Sequence, residues 1–212
     1  MYPPEPWNLR GQLYLSLFAV PRSALAPLPG GLATTVRRLP FGRQALVGAA
    51  WVRYEPGGVL HYQELLSAVL VREGWRPRVC ITEIWVDSAE SRDGGRELWG
   101  IPKDLAELSV RTAPDGRTDG VAGAIGSASF RAGVRLPGRW PTPMRVVQDL
   151  GGTVKRTTVR GRAGLRLHRA AWRAEPGGPL GYLAGRRPLL TLALTDFRLT
   201  FGVKPSTPAG RP

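Results

Sequence analysis

Glycine and proline interrupt this chain so often that an all-helical architecture is excluded at once. Its 212 residues include 27 glycines and 20 prolines. Inside a helix, glycine costs about 1 kcal/mol and proline about 3 kcal/mol relative to alanine. Between these breakers lie short β-compatible runs at 12–20, 46–54, 62–71, 78–86, 110–112, 126–131, 153–160, 164–168 and 188–200. Alternating or continuous apolar residues bounded by turn residues are the signature of strands. Helical periodicity is weak, with 23–28 and 103–107 the best single turns. The runs are too closely spaced for crossover helices, which disfavours a parallel Rossmann-type sheet. An antiparallel sandwich or barrel in one domain is the expectation.

The charge invites a different reading. Lysine and arginine total 30 against 16 aspartates and glutamates, a formal net charge of +14. Such a balance suggests nucleic acid or an anionic surface as partner. Yet only Lys103, Lys155 and Lys204 are lysines, Asn8 is the lone asparagine, and alanine, glycine and proline abound. That pattern fits GC-rich coding as well as function. The excess also lies mainly beyond residue 105. Within it, Arg160, Arg162 and Arg166 share strand parity and form a candidate anion-attracting stripe. No recognition helix, aromatic RNA-binding pair or zinc finger accompanies them. A solvated strand face is the plain reading, an anionic ligand or subunit surface the sharper one, and no nucleic-acid partner is expected.

Other chemistries find no support. Cys80, the single cysteine, sits in an apolar run and reads as a buried, inert thiol. His61 and His168 fit no metal-ligand spacing, and no GxSxG nucleophile elbow or phosphate-binding loop is present. No metal is expected. The first residues carry neither a basic nor an apolar targeting pattern, and no apolar run approaches the ~20 residues of a spanning helix. The expectation is a cytoplasmic protein with no membrane partner.

The informative stretch is Gly95-Arg96-Glu97-Leu98-Trp99-Gly100-Ile101-Pro102-Lys103. It places a lysine among apolar residues in a chain that rarely uses lysine. Burial disfavours the charged form of an amine, and a neutral amine is what attack on a ketone requires. A lysine at the end of a strand, with no such role, explains the same residues.

This stretch resembles the Gly-Arg-Glu and Pro-Lys signature of the acetoacetate decarboxylase-like superfamily. Upstream, Asp87 matches a strand-end aspartate, and Tyr62-Gln63-Glu64 resembles the family's Tyr-x-Glu. Asn8-Leu9-Arg10 resembles the opening of its first strand. The resemblance covers about residues 7–110. It implies a mainly β (α+β) fold, a single antiparallel, closed, cone-like β-barrel with a few short helices over 7–204, and loose tails at 1–6 and 205–212. It implies a Schiff base on Lys103, acetoacetate decarboxylase itself being the recognised example of a lysine activated by its surroundings. Glu64 is then the second catalytic residue, Arg10 holds the substrate carboxylate, and Trp85 and Trp99 line an apolar pocket. No cofactor is required, the partner is a small keto acid, and homo-oligomers are expected. Two positions depart from the pattern. Asp104 stands where decarboxylases carry a second lysine, and Ala49 stands where a second glutamate would fall, with Glu55 its substitute only in a shifted register. Decarboxylation of a β-keto acid is still the first expectation. Aldolase, dehydratase or cyclase chemistry through the same iminium is the alternative, and a non-catalytic binding barrel a third.

Overall fold

The computed structural model describes residues 1–203. Thirteen strands carry the described residues. The long ones are β1 (Trp7–Pro21), β4 (Gln44–Tyr54), β5 (Gln63–Glu73), β6 (Arg76–Val86), β10 (Gly126–Pro141), β11 (Met144–Leu150), β12 (Thr153–Ala174) and β13 (Leu190–Phe201). Short ones are β2 (Arg37–Arg38), β3 (Pro40–Phe41), β7 (Lys103–Leu105), β8 (Ser109–Thr112) and β9 (Thr118–Ala122). Two α-helices, α1 (Gly30–Ala33) and α2 (Ala89–Trp99), complete the regular structure with two single 3-10 turns.

Strand order runs β11-β6-β5-β4-β1-β13-β12-β10-β9-β8, and β11 also pairs with β12, so seven strands close into a ring. All pairings around that ring are antiparallel except β6–β11, a parallel contact with the single matched pair Val79–Val146. The expectation of an antiparallel closed barrel is corrected at that seam. The α2–β10 excursion between β6 and β11 supplies the long connection that parallel strands need.

Alternation along the strands feeds two cores on opposite faces. Tyr14, Phe18, Trp51, Leu65 and Phe130 belong to one, which β8, β9 and β10 cover. Trp7, Leu9, Val52, Val86, Phe197 and Trp99 belong to the other, which receives α2. Gly120 on β9 lies flat on Trp51, where a Cβ would come within 2.5 Å of the indole ring.

Several expectations shift. The runs at 153–160 and 164–168 are one continuous strand of 22 residues. The segment 103–107 is not a helical turn but begins with β7. Residues 1–6 are anchored rather than loose: Tyr2 Oη donates to Glu97 at 2.7 Å, Trp7 Nε1 donates to the Pro3 carbonyl at 2.8 Å, and Trp99 Nε1 donates to Glu5 at 3.0 Å. The expected tail at 205–212 lies outside the described residues. Cys80 is fully buried, and burial pushes its thiol up to about 12.

Candidate active site

Helix α2 is the element that places the lysine. Ser88 caps it by accepting from the Ser91 amide at 3.2 Å. Its C-terminus is Gly100, at φ +67°, where a Cβ would also come within 2.3 Å of the Asp149 carbonyl oxygen. Only glycine meets both demands. The chain then turns through Ile101 and Pro102 into β7, which runs parallel to β6 with Lys103 opposite Ile84.

The Gly-Arg-Glu residues have separate structural tasks here. Gly95 makes room for the lysine stem: a Cβ there would come within 2.7 Å of Lys103 Cδ. Arg96 holds the strand beyond it, with Nε donating to the Lys103 carbonyl at 2.5 Å and Nη2 paired with Asp104. Glu97 receives the Tyr2 hydroxyl. Gly94 admits the Trp7 ring, which a Cβ would approach within 2.5 Å.

Lys103 is 4% exposed and Glu64 is 3% exposed. Lys103 Nζ donates to Glu64 Oε2 at 2.9 Å, to Ser91 Oγ at 2.9 Å and to Tyr62 Oη at 3.3 Å. It also lies 5.0 Å from the centre of the Tyr62 ring, a cation–π contact. Glu64 in turn accepts from Tyr54 Oη at 3.3 Å and Tyr62 Oη at 3.4 Å. The two tyrosine rings pack with centroids 4.4 Å apart, and Tyr54 meets the edge of Phe197. Burial, then the Glu64 charge, holds the Tyr54 phenol well above its ordinary value. For Tyr62 burial again leads, followed by Tyr54 and Glu64. Both phenols therefore stay protonated and available as donors at neutral pH. An ammonium and a carboxylate are tolerated at such burial because they face one another and each has further hydrogen-bond partners.

The structure brings together Lys103 and Glu64 and leaves the other three expected residues apart from them. Trp99 shares their core, but its ring packs on Trp7 and Phe201 and its indole N–H is taken by Glu5. Trp85 points to the opposite face of β6, against the core that contains its cross-strand neighbour Leu65. Arg10 alternates with buried Leu9 and emerges on the far side of β1, its guanidinium beside Gly57. Neither Trp85 nor Arg10 shares a strand face with the amine. Asp104 also turns away from the amine and pairs with Arg96 at the surface, as adjacent strand residues must. Asp87 accepts from the Gln63 amide at 2.7 Å and Nε2 at 3.2 Å, fastening the ends of β5 and β6. Ala49 faces the β10-side core, away from the amine, and Glu55 pairs with Arg53.

Sequence reasoning missed Tyr54 and Ser91, and read Tyr62 only as part of a motif. No spacing in the sequence signals Tyr54 or Ser91; the Gly94-Gly95 pair signals only the close approach of Trp7, Tyr2 and Lys103 to α2.

The family model for acetoacetate decarboxylase matches residues 12–167. The chain belongs to the acetoacetate decarboxylase family. No curated protein matches it. Among solved structures, the acetoacetate decarboxylase of Legionella pneumophila subsp. pneumophila str. Philadelphia 1 is similar at TM-score 0.70 and 18% identity, over 94% of this chain and 86% of that one. The enduracididine biosynthesis enzyme MppR complexed with pyruvate is similar at TM-score 0.70 and 18% identity, over 96% and 90%. An acetoacetate decarboxylase-like enzyme from Sphingomonas wittichii RW1 is similar at TM-score 0.61 and 16% identity, over 93% and 91%. These likenesses concern the fold. Among the described residues no helix is long and apolar enough to cross a membrane.

Proposed function

We propose that this family member is a Schiff-base-forming lyase acting on a small β-keto acid. The observation that carries the reading is the buried Lys103 amine with a carboxylate at 2.9 Å and a phenol at 3.3 Å. Glu64 accepts the ammonium proton, and the neutral amine attacks the substrate ketone. Proton transfer from the Glu64–Tyr62 pair to the carbinolamine oxygen releases water and leaves an iminium. The C–C bond to the carboxylate then breaks, its electron pair moves toward the iminium nitrogen, and CO2 leaves an enamine. Protonation at carbon and addition of water release the ketone and restore the amine. Burial of Lys103 and Glu64 keeps bulk water away, which strengthens the interaction of Glu64 with the developing cation. Arg10 lies on the other face of the sheet, beside Gly57, so it does not hold the substrate carboxylate in this reading.

A second reading rests on MppR, whose structures hold pyruvate and a condensation product of pyruvate with imidazole 4-carboxaldehyde. The same iminium supports aldol-type condensation or dehydration, and Asp104 in place of a second lysine favours that reading.

Borohydride reduction in the presence of acetoacetate or pyruvate, followed by peptide mass mapping, is the test. An adduct on the Lys103 peptide that disappears in Lys103→Met is expected. No adduct with any keto acid in a panel overturns the proposal. Measuring released CO2 then separates decarboxylation from condensation.

A further inference from the structure

The residue that fails to reach the amine belongs to a different feature. Across β1, β13 and β12, Arg10 stands opposite Arg198 and Arg198 opposite Arg162. One step along the strands, Asn8 stands opposite Thr200 and Thr200 opposite Arg160. Thr200 Oγ1 donates to Asn8 Oδ1 at 2.8 Å. These side chains share one face because strand side chains repeat with period two. Arg139 from β10 closes one side, donating to the Asp196 carbonyl at 2.6 Å and the Arg162 carbonyl at 3.3 Å. Together they line a groove of about 1090 Å³, with Gly57 at the rim.

All five arginines are exposed, and among the described residues none is ion-paired with a carboxylate. Residues 204–212 add no aspartate or glutamate. The only acidic side chain in the lining is Asp196, whose carboxylate already accepts from Gln12 at 3.2 Å. Like charges directly opposite on neighbouring strands destabilise a sheet, and here three stand in one row. A bulge at β13 disrupts the ladder beside them, between Gly11 and Leu13 on β1 and between Arg162 and Gly164 on β12. Bulges bend strands and re-aim their side chains.

We propose that this groove is a binding site for a small organic diphosphate. Paired residues on adjacent strands lie about 5 Å apart at Cα, so neighbouring guanidiniums can each grip one phosphoryl group of a diphosphate through two N–H donors. Arg198, in the middle of the row, serves both groups. Arg160, two residues along β12, receives a further anionic group, and Gly57 leaves space against Arg10, where a Cβ would come within 3.3 Å of its side chain. A second copy of this chain is a poor occupant, because a symmetric contact through this face would bring ten guanidiniums together. The site is separate from Lys103 and stands or falls independently of the Schiff-base reading.

The test is calorimetric titration of the full chain with pyrophosphate, orthophosphate, ADP and a single-stranded oligonucleotide at physiological salt. Pyrophosphate and ADP are expected to bind one per chain, about tenfold or more tighter than orthophosphate. Stronger ADP binding marks a nucleotide, and equal binding marks the diphosphate alone as the recognised part. Arg198→Ala is expected to lose about tenfold or more in affinity, while Arg169→Ala, an equal change of charge on exposed surface elsewhere, leaves affinity unchanged. A thermal melt of Arg198→Ala at or above the parent temperature establishes that the loss is local. Equal small losses in both variants, no preference for pyrophosphate over orthophosphate, or affinity that grows with oligonucleotide length each overturn the proposal.

Discussion

Two sides of the same sheet treat positive charge in opposite ways. On the side that faces α2, the Lys103 ammonium is enclosed by Glu64, Ser91 and Tyr62 and almost no water reaches it. On the far side, Arg10, Arg198 and Arg162 stand in a row exposed to solvent, with no ion-paired carboxylate among the described residues. The difference follows from the cost of desolvation. An unpaired charge in a dry interior costs several kcal/mol, whereas a solvated guanidinium meets high dielectric and salt screening. Charge inside must therefore be specified residue by residue, while charge outside accumulates until repulsion or a ligand sets the limit. One buried lysine consequently says more about chemistry than a net charge of +14.

The sharpest way to break this comparison is to remove one half of the inner pair. Lys103→Met leaves the Glu64 carboxylate buried and unpaired, and a loss of about 3–5 kcal/mol in urea unfolding is expected. The double variant Lys103→Met/Glu64→Leu should recover most of it while staying inactive. If the single and double variants unfold alike, the pair is not dry.

A smaller effect tests the glycine behind the lysine. Gly95→Ala puts a methyl group against the lysine stem, and overpacking of this kind costs about 1–3 kcal/mol. It should also slow trapping of a keto acid by borohydride, whereas Gly177→Ala, in open space, should change neither quantity.

The smallest effect belongs to a partly exposed site where arginines do have a carboxylate. Glu73 accepts from Arg156 Nε at 2.8 Å and from Arg78 Nη2 at 2.9 Å. The Arg156 hydrogen bond leads in holding its carboxyl below the ordinary value, with Arg78 adding to it. A depressed carboxylate contributes stability that is present above its unfolded value and lost as pH falls through its folded value. Glu73→Gln should therefore cost up to about 1 kcal/mol at neutral pH, and the gap to the parent should close below the ordinary carboxylate range. A gap that persists in acid would show that shape rather than charge matters there.

Much of the fold was legible because strand signals are local. The runs at 46–54 and 78–86 reappear in β4 and β6 with their ends moved by at most two residues. Helix α2 was not legible, since Gly94 and Gly95 lower its propensity and are explained by Trp7, Tyr2 and Lys103, distant in sequence or beyond the turn. Lys103 and Glu64 were readable because their motifs are short and rigid. The direction of Trp85 and Arg10 was not, because one residue of register moves a side chain to the other face. Tyr54 and Ser91 escaped because their partners come from other elements, which no spacing rule reveals.

The seam between β6 and β11 has a mechanical consequence. Every other joint in the ring is a ladder of several matched pairs, but this one has the single pair Val79–Val146 and the braces of Gln148, whose Nε2 donates to the Ile81 carbonyl at 2.9 Å and whose Oε1 accepts from Cys80 Sγ at 3.4 Å. A hoop yields where its fastening is thinnest. Slow breathing of the ring should therefore begin at this joint, with the Val146 amide exchanging its proton for deuterium sooner than Val52 or Leu66 in the well-laddered wall of β4 and β5.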